Sequence, residues 1–385
     1  MVELTTCIYS KKSEPNVSFK KQEHVFPASL GGIKKLPKGY VSDEINEKFS
    51  SELEIEFMRE GIISIPRQFM GPGTRGNINN IKKATQSKVH LMKVDDDRYT
   101  LGYVVLGKPN HIKQIIFNFD NEGNLLNSHE LIFPSDIKDI VGEIKKFLEL
   151  NDSITFIKDN KIPSNKIIVG LHEYQHKGKG PILSKWFIGH NGDTHVNNDL
   201  KTKLKLEIQR LYDSSKGQEF DLTITSKQVT SYQTLRFDMD IFFRTCAKIA
   251  FNYVAQILGV DIVLKKDFDG IRNYIVNGGK NNFVSFGKSM DEPANPLFDC
   301  LNDTHTVIAN FTQEHILVII IFYGVTHIGV RVPYIASINE LPDSFRMSGI
   351  VIDWKNREEY DFFKYVIERY KGKDLIDEIL FKEEL

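Results

Sequence analysis

One stretch constrains the fold of this chain more than any other. From Asp238 to Gly259, the residues Phe242, Phe243, Cys246, Ile249, Ala250, Tyr253 and Ile257 recur at helical spacing. Asp238 suits the N-cap and Gly259 the C-cap of one long, very apolar helix. Phe and Tyr at that spacing beside Ala and Ile bury well and need no ligand, so the helix is expected as core. With 385 residues the chain can bury such a helix and still make two or three domains. The net charge is -1, so nucleic-acid binding would need a local patch rather than a global excess. Cys7, Cys246 and Cys300 are far apart and odd in number, which fits neither a disulfide framework nor a cysteine zinc site. Met1-Val2-Glu3-Leu4 lacks the basic and apolar regions of a signal peptide. The longest apolar run, Ile316 to Tyr323, reads as a buried strand and is too short to span a bilayer. A soluble, cytoplasmic protein with no membrane partner is expected.

Residues 5–60 read as a compact strand, loop, strand and helix. Thr5 to Tyr9 and Ser18 to Val25 suit short strands, and Gly31-Gly32 and Pro37-Lys38-Gly39 are turn chemistry. Ser42 is placed as an N-cap, with Asp43 and Glu44 at the positive end of the helix dipole. Ile45, Phe49, Leu53 and Phe57 then form an i, i+4 apolar stripe. Residues 61–93 carry Arg67, Arg75, Lys82, Lys83, Lys88 and Lys93 and no acid, with a glycine-rich loop from Met70 to Gly76. Beyond residue 94, strands are expected at Tyr99–Leu106, Gln114–Phe119, Glu130–Phe133, Ile167–Leu171 and Trp186–Gly189. Helices are expected at Ser135–Leu150 and Asp199–Tyr212. After the long helix come a short helix near Phe268–Val276, a strand pair at Ile316–Phe322 and His327–Val332, and a strand at Ile350–Trp354. The class is α+β, not an alternating parallel array. The expected division is 1–60, a basic connecting segment 61–93, and a mixed α+β region 94–385 with a break near residue 230.

Within the first segment, Glu23-His24-Val25-Phe26-Pro27 sets an acid directly before a histidine, and Asn46 follows at the start of the helix. A neutral imidazole accepts a proton near pH 7, and such a base contributes about 10²–10⁴-fold in rate. Glu23 and Asn46 offer hard oxygen ligands of the kind Mg²⁺ takes while it also holds phosphate oxygens. Adjacent side chains of a regular strand face opposite ways, so both reach one site only where the strand bends, as Pro27 suggests.

These residues resemble the HNH nuclease family in Cys7-Ile8-Tyr9-Ser10, in Glu23 to Gly32, and in Val41 to Glu54 with Phe49 in register. Arg59, Arg67, the Gly-Pro-Gly loop and the helix from Arg244 to Tyr253 look, in outline, like a group of long bacterial HNH proteins. The resemblance implies an N-terminal ββα-metal unit followed by a larger mixed α+β region. It implies an endonuclease that hydrolyses phosphodiester bonds in DNA, duplex DNA first, with His24 as general base and Glu23 and Asn46 as ligands of Mg²⁺ or Mn²⁺. Stand-alone proteins of this kind look like restriction or anti-phage effectors. Two features depart from the family. Its two Cys-x-x-Cys pairs are here Cys7 with Ser10 and Ser42 with Ile45, and one thiolate in four positions builds no zinc site, so no structural zinc is expected. There is also no clear middle Asn between His24 and Ser42 to orient the histidine.

Arg67, Arg75, Lys82 and Lys83 are the expected DNA contacts, tracking phosphates and fixing position rather than sequence. His172-Glu173-Tyr174-Gln175-His176 spells the zinc-protease string, but its surroundings are strand-to-turn where that chemistry needs a helix. His172, His176, His190 and His195 are read as surface loop histidines. Two rival readings stay open: a catalytically inactive nucleic-acid-binding protein that keeps the fold, and a regulatory protein whose main task lies in residues 94–385. A homodimer and an activating partner or ligand are left open too.

Overall fold

The computed structural model describes residues 5–59, 61–71, 86–95, 98–120, 122, 124–131, 136–142, 154–175, 182–192, 198–215, 230–233, 238–287, 301, 303–312, 314–334 and 347–369. They form two units, Met1–Thr85 with Leu235–Leu385, and Gln86–Thr234 inserted between them. The chain is mixed α and β, as its pattern predicts. The expected division at 60 and 93 differs from this arrangement. The amino-terminal segment shares one apolar core with the long helix 238–258, so the first unit closes only when the chain returns near residue 235.

The amino-terminal segment is irregular. The two expected strands are replaced by isolated antiparallel bridges, Thr6 to Ser13 and His24 to Lys35. Val25 N–H donates to the Lys34 carbonyl at 2.9 Å and Leu36 N–H to the Glu23 carbonyl at 2.8 Å, which makes a hairpin one pair long. Its connection explains the Leu-Gly-Gly run. Gly31 has φ 96°, and a Cβ there would lie 2.6 Å from the Trp354 Cβ. A Cβ on Gly32 would run into the Phe26 carbonyl. Glu359 accepts from the Ile33 and Lys34 N–H groups and fastens the loop.

Helix α1 (Asp43–Phe49) follows, continues through a π turn at Ser50–Glu54, and ends as α2 (Ile55–Arg59). On a regular helix a four-residue spacing drifts by about 40° per step. The wider turn counters that drift, and Ile45, Phe49, Leu53 and Phe57 all stay buried. Ser42 stands at the N-cap position, but its hydroxyl makes no capping bond. Asp43 instead accepts from Ser18 Oγ and from the Lys20 and Lys21 N–H groups, which pins the preceding loop to the helix. Helix α3 (Ser64–Met70) completes this segment.

Among its described residues the inserted unit has two sheets. The smaller has the order β3-β2-β1-β9, from β1 (His90–Asp95), β2 (Arg98–Val105), β3 (Lys108–His111) and β9 (Thr230–Tyr232). The larger has the order β5-β4-β7-β8-β6, from β4 (Lys113–Phe119), β5 (Leu125–Leu131), β6 (Ile154–Lys158), β7 (Lys166–Gln175) and β8 (Ile182–His190). Period-two alternation splits the larger sheet between two cores. Ile115, Phe117, Val169 and Trp186 meet Ile140 of α4 (Asp136–Gly142) and Leu204 and Ile208 of α5 (Asn198–Ser215). Ile116, Ile168 and Phe187 meet Leu91 and Leu101 of the smaller sheet.

On its return the chain enters α6 (Met239–Leu258), whose Asp238 side chain caps two N–H groups and whose carboxyl end stops at Gly259, φ 84°. Then come α7 (Val260–Val263), α8 (Asp269–Asn277) and a six-stranded antiparallel sheet of order β10-β13-β12-β11-β14-β15. Its strands are β10 (Val284–Phe286), β11 (His305–Phe311), β12 (His315–Phe322), β13 (Thr326–Pro333), β14 (Met347–Asp353) and β15 (Glu358–Asp361). Val318, Ile320 and Phe322 share the core of α6 and the N-terminal stripe. Ile319 and Ile321 face the other way, toward Phe362, Tyr365 and Val366 of α9 (Phe362–Arg369). Among the described residues no helix is long and apolar enough to cross a membrane.

Candidate active site in the amino-terminal hairpin

His24 sits on the one-pair hairpin, opposite Lys35, and is partly buried. Burial lowers its pKa, as do the charges of Lys35 and Lys248, against a smaller upward pull from Glu54 and Glu359. The imidazole is therefore neutral near pH 7, the form in which it accepts a proton. Its main-chain carbonyl accepts from Asn252 Nδ2 at 3.0 Å, and Asn252 Oδ1 in turn accepts from the buried Tyr9 hydroxyl at 2.6 Å.

Glu23 faces the other way. It is 7% exposed, and its Oε1 lies 2.5 Å from Lys248 Nζ. The same ammonium, 1% exposed, lies 2.6 Å from Glu54 Oε1. Burial alone would lower the Lys248 pKa, but the two carboxylates outweigh it and hold the ammonium well above its ordinary range. Burial pushes Glu23 up, and the charge of Glu54 adds to that against the pull of Lys248 and Asn252. The group is one buried cation between two carboxylates, with its proton on the lysine.

In front of this group lies a cleft of about 710 Å³ whose wall includes Glu23, His24, Asn46, Ser50 and Glu54. Asn46, Ser50 and Glu54 follow one another at four-residue steps along α1 and the π turn, so they share a side. Lys20, Lys21, Lys35, Arg59 and Arg67 line the same cleft. The first four are exposed, and among the described residues none of them makes an ion pair.

The expected site residues thus divide. His24 and Asn46 face the cleft together. Glu23 reaches its wall, but its carboxylate is engaged by Lys248, because the extended backbone that turns His24 outward turns Glu23 inward. In this arrangement Glu23 does not fit the role of a cation ligand. Glu54 is held by the same ammonium but is 26% exposed, so the oxygens left to a hard cation on the cleft wall would come from Asn46 and Glu54. Among the described residues no three His, Cys, Asp or Glu side chains converge as a metal-holding group. Arg67 lines the cleft but is 6% exposed, donates to the Met58 carbonyl, and is lowered by burial to about 10. Its placement is that of a wall residue more than of a surface phosphate contact. Arg75, Lys82 and Lys83 lie outside the described residues.

Two of the positions that the resemblance compares with zinc cysteines, Cys7 and Ser42, are close in space. Ser42 N–H lies 3.4 Å from Cys7 Sγ, and Cys7, Ser42 and Ile45 are buried in the same core region. The zinc-protease string lies on β7 as far as Gln175, not on a helix, so His172 and Glu173 point to opposite faces. His172 contacts Gln86 and the Tyr103 ring, and His190 bonds the Asn191 carbonyl. His176 and His195 lie outside the described residues.

Three residues of the site, Glu54, Lys248 and Asn252, are absent from the sequence-based expectation. The signal was a lysine in the middle of a helix otherwise fit for a core. A charge buried there needs a counter-charge, and Asn252 sits one turn further on the same face. Compared with protein-family models, with curated proteins and with solved structures, the chain matches none.

Proposed function

We propose that the chain is a nuclease that hydrolyses phosphodiester bonds in nucleic acid, duplex DNA first, with His24 as general base. The observation that carries this reading is one juxtaposition. A histidine held neutral near pH 7 opens onto a cleft rimmed by four exposed cations that make no ion pair among the described residues, while Lys248 offsets part of the negative charge of Glu23 and Glu54 on its wall. The rim cations would hold the phosphates on either side of the scissile one. His24 would take the proton from the attacking water. Asn46 would orient that water or a phosphate oxygen through its amide. The family resemblance also implies a divalent cation, which when bound would stabilise the developing charge on the phosphate. A restriction or anti-phage role is part of the same reading and rests on the resemblance alone.

The engagement of Glu23 by Lys248 favours a second reading, a nucleic-acid-binding module without catalysis. One experiment separates the two. Purified protein is incubated with supercoiled plasmid and Mg²⁺ or Mn²⁺, with and without EDTA, beside the His24→Ala variant. The nuclease reading expects nicking that the variant loses. The binding reading expects retention of the plasmid in a gel with no nicking under any condition.

A further inference from the structure

We propose that Lys248 and Asn252, one turn apart on α6, are positioning residues for the cleft: Lys248 fixes the Glu23 side chain, and Asn252 fixes the main chain at His24. The inference rests on the nuclease reading for its kinetic arm only. Residues four apart on a helix share a face, so one face of α6 grips two adjacent residues of the hairpin. The grip is of two kinds. Lys248 Nζ holds the Glu23 carboxylate at 2.5 Å, and Asn252 Nδ2 holds the His24 carbonyl at 3.0 Å.

In extended backbone, neighbouring side chains face opposite ways. Glu23 turned inward on Lys248 therefore sends the His24 imidazole outward to the cleft. The hairpin alone is too short to set that orientation, since a single pair of main-chain bonds flanks His24. Tyr9 completes the grip. Its hydroxyl donates to Asn252 Oδ1, which leaves the amide nitrogen as the atom facing His24.

The lysine is a costly choice for this place. A well-packed apolar side chain in place of a buried ion pair is often neutral or stabilising, so packing alone does not call for Lys248. Its charge has two uses here. It draws Glu23 and Glu54 to one point, and it offsets one of the two negative charges on the cleft wall that would repel a phosphate. Glu23 is then the anchor of the hairpin and acts through His24.

The test uses the full chain as Lys248→Met, Lys248→Arg, Asn252→Ala and the pair Glu23→Gln with Lys248→Met. Thermal melts establish which variants fold. Cleavage of a fluorescein-labelled DNA duplex gives kcat and KM, and ring ¹⁵N–¹H spectra of histidine-labelled protein report His24. Lys248→Met and Asn252→Ala should each lower kcat by roughly 10²-fold, the cost of a misplaced reacting group, with KM little changed. Lys248→Arg should recover most of the rate. In a His24→Ala background neither change should lower the residual rate further. The His24 ring signals should move in Lys248→Met and Asn252→Ala and return in Lys248→Arg.

If Lys248→Met does not fold, the Glu23→Gln/Lys248→Met pair and Asn252→Ala carry the same expectations. Wild-type kcat with unmoved His24 signals in the folded variants overturns the proposal and leaves the nuclease reading standing. Moved ring signals in a protein whose wild type cuts no nucleic acid overturn the nuclease reading and support the positioning roles.

Discussion

His305 gives the sharpest prediction about stability. It begins β11 and is fully buried, walled by the rings of Phe26, Phe322 and Tyr323 at 5.3, 5.9 and 4.4 Å between centroids. Its Nδ1 accepts from the Tyr323 N–H at 3.1 Å, so the neutral ring carries its proton on Nε2, which meets no acceptor among the described residues. Protonation would put a charge in an apolar box and break the Tyr323 bond. Burial accordingly lowers the histidine from 6.5 to about 3. A folded-state pKa below the unfolded one gives stability that is present above pH 6.5 and drains away as pH falls toward the folded value. Two pH units below 6.5, near pH 4.5, the loss is about 3 kcal/mol at about 1.4 kcal/mol per unit. The chain's two tryptophans lie one in each unit, Trp186 and Trp354. Urea titrations in a Trp186→Phe background therefore follow the unit that holds His305. His305→Gln keeps an acceptor for Tyr323 and cannot titrate. The wild type should lose about 3 kcal/mol more than this variant between pH 7 and pH 4.5. Equal losses in the two proteins would refute the burial argument.

Gly31→Ala should destabilise the first unit by about 1–3 kcal/mol, because the position combines a positive φ with a Cβ placed 2.6 Å from that of Trp354, and a denaturant melt measures it. Replacing Lys20, Lys21, Lys35 and Arg59 together with Ala should weaken duplex binding across all sequences and flatten its salt dependence. Each lost phosphate contact takes roughly 0.9 from the log–log slope, and an unchanged slope in a salt series would place the nucleic-acid surface elsewhere. Elemental analysis of the pure protein should find no stoichiometric zinc, since Ser10, Ser42 and Ile45 offer no thiolate beside Cys7. One tightly held zinc per chain would contradict this.

What was legible in the sequence was whatever repeats at short range. The helix 239–258, the stripe Ile45 to Phe57 and the pairing of β12 with β13 follow from period and from turn or capping residues close by. Long-range closure was not legible. No local signal tells that residues 5–59 share a core with α6, or that β11 pairs with both β12 and β14 at the centre of a sheet. The segments Thr5 to Tyr9 and Ser18 to Val25 suit strands by composition, yet each pairs at a single residue. The hairpin at His24 is held instead by the burial of Val25 and Phe26, by Glu359 at Ile33 and Lys34, and by Asn252 at the His24 carbonyl. The candidate site was half legible for the same reason. Glu23, His24 and Asn46 stand in one short segment, whereas Lys248 and Asn252 enter from a helix about two hundred residues away whose apolar pattern reads as core.

Whether His24 is the base of a phosphodiester hydrolase is decided by one comparison. Wild type and His24→Ala, both shown to be folded, are assayed on the same DNA with Mg²⁺ or Mn²⁺ for cleavage rate and for binding affinity. The wild type should cleave, the variant should lose about 10²-fold or more in rate, and its affinity should be nearly unchanged. A folded His24→Ala protein that cuts at the wild-type rate would contradict that role.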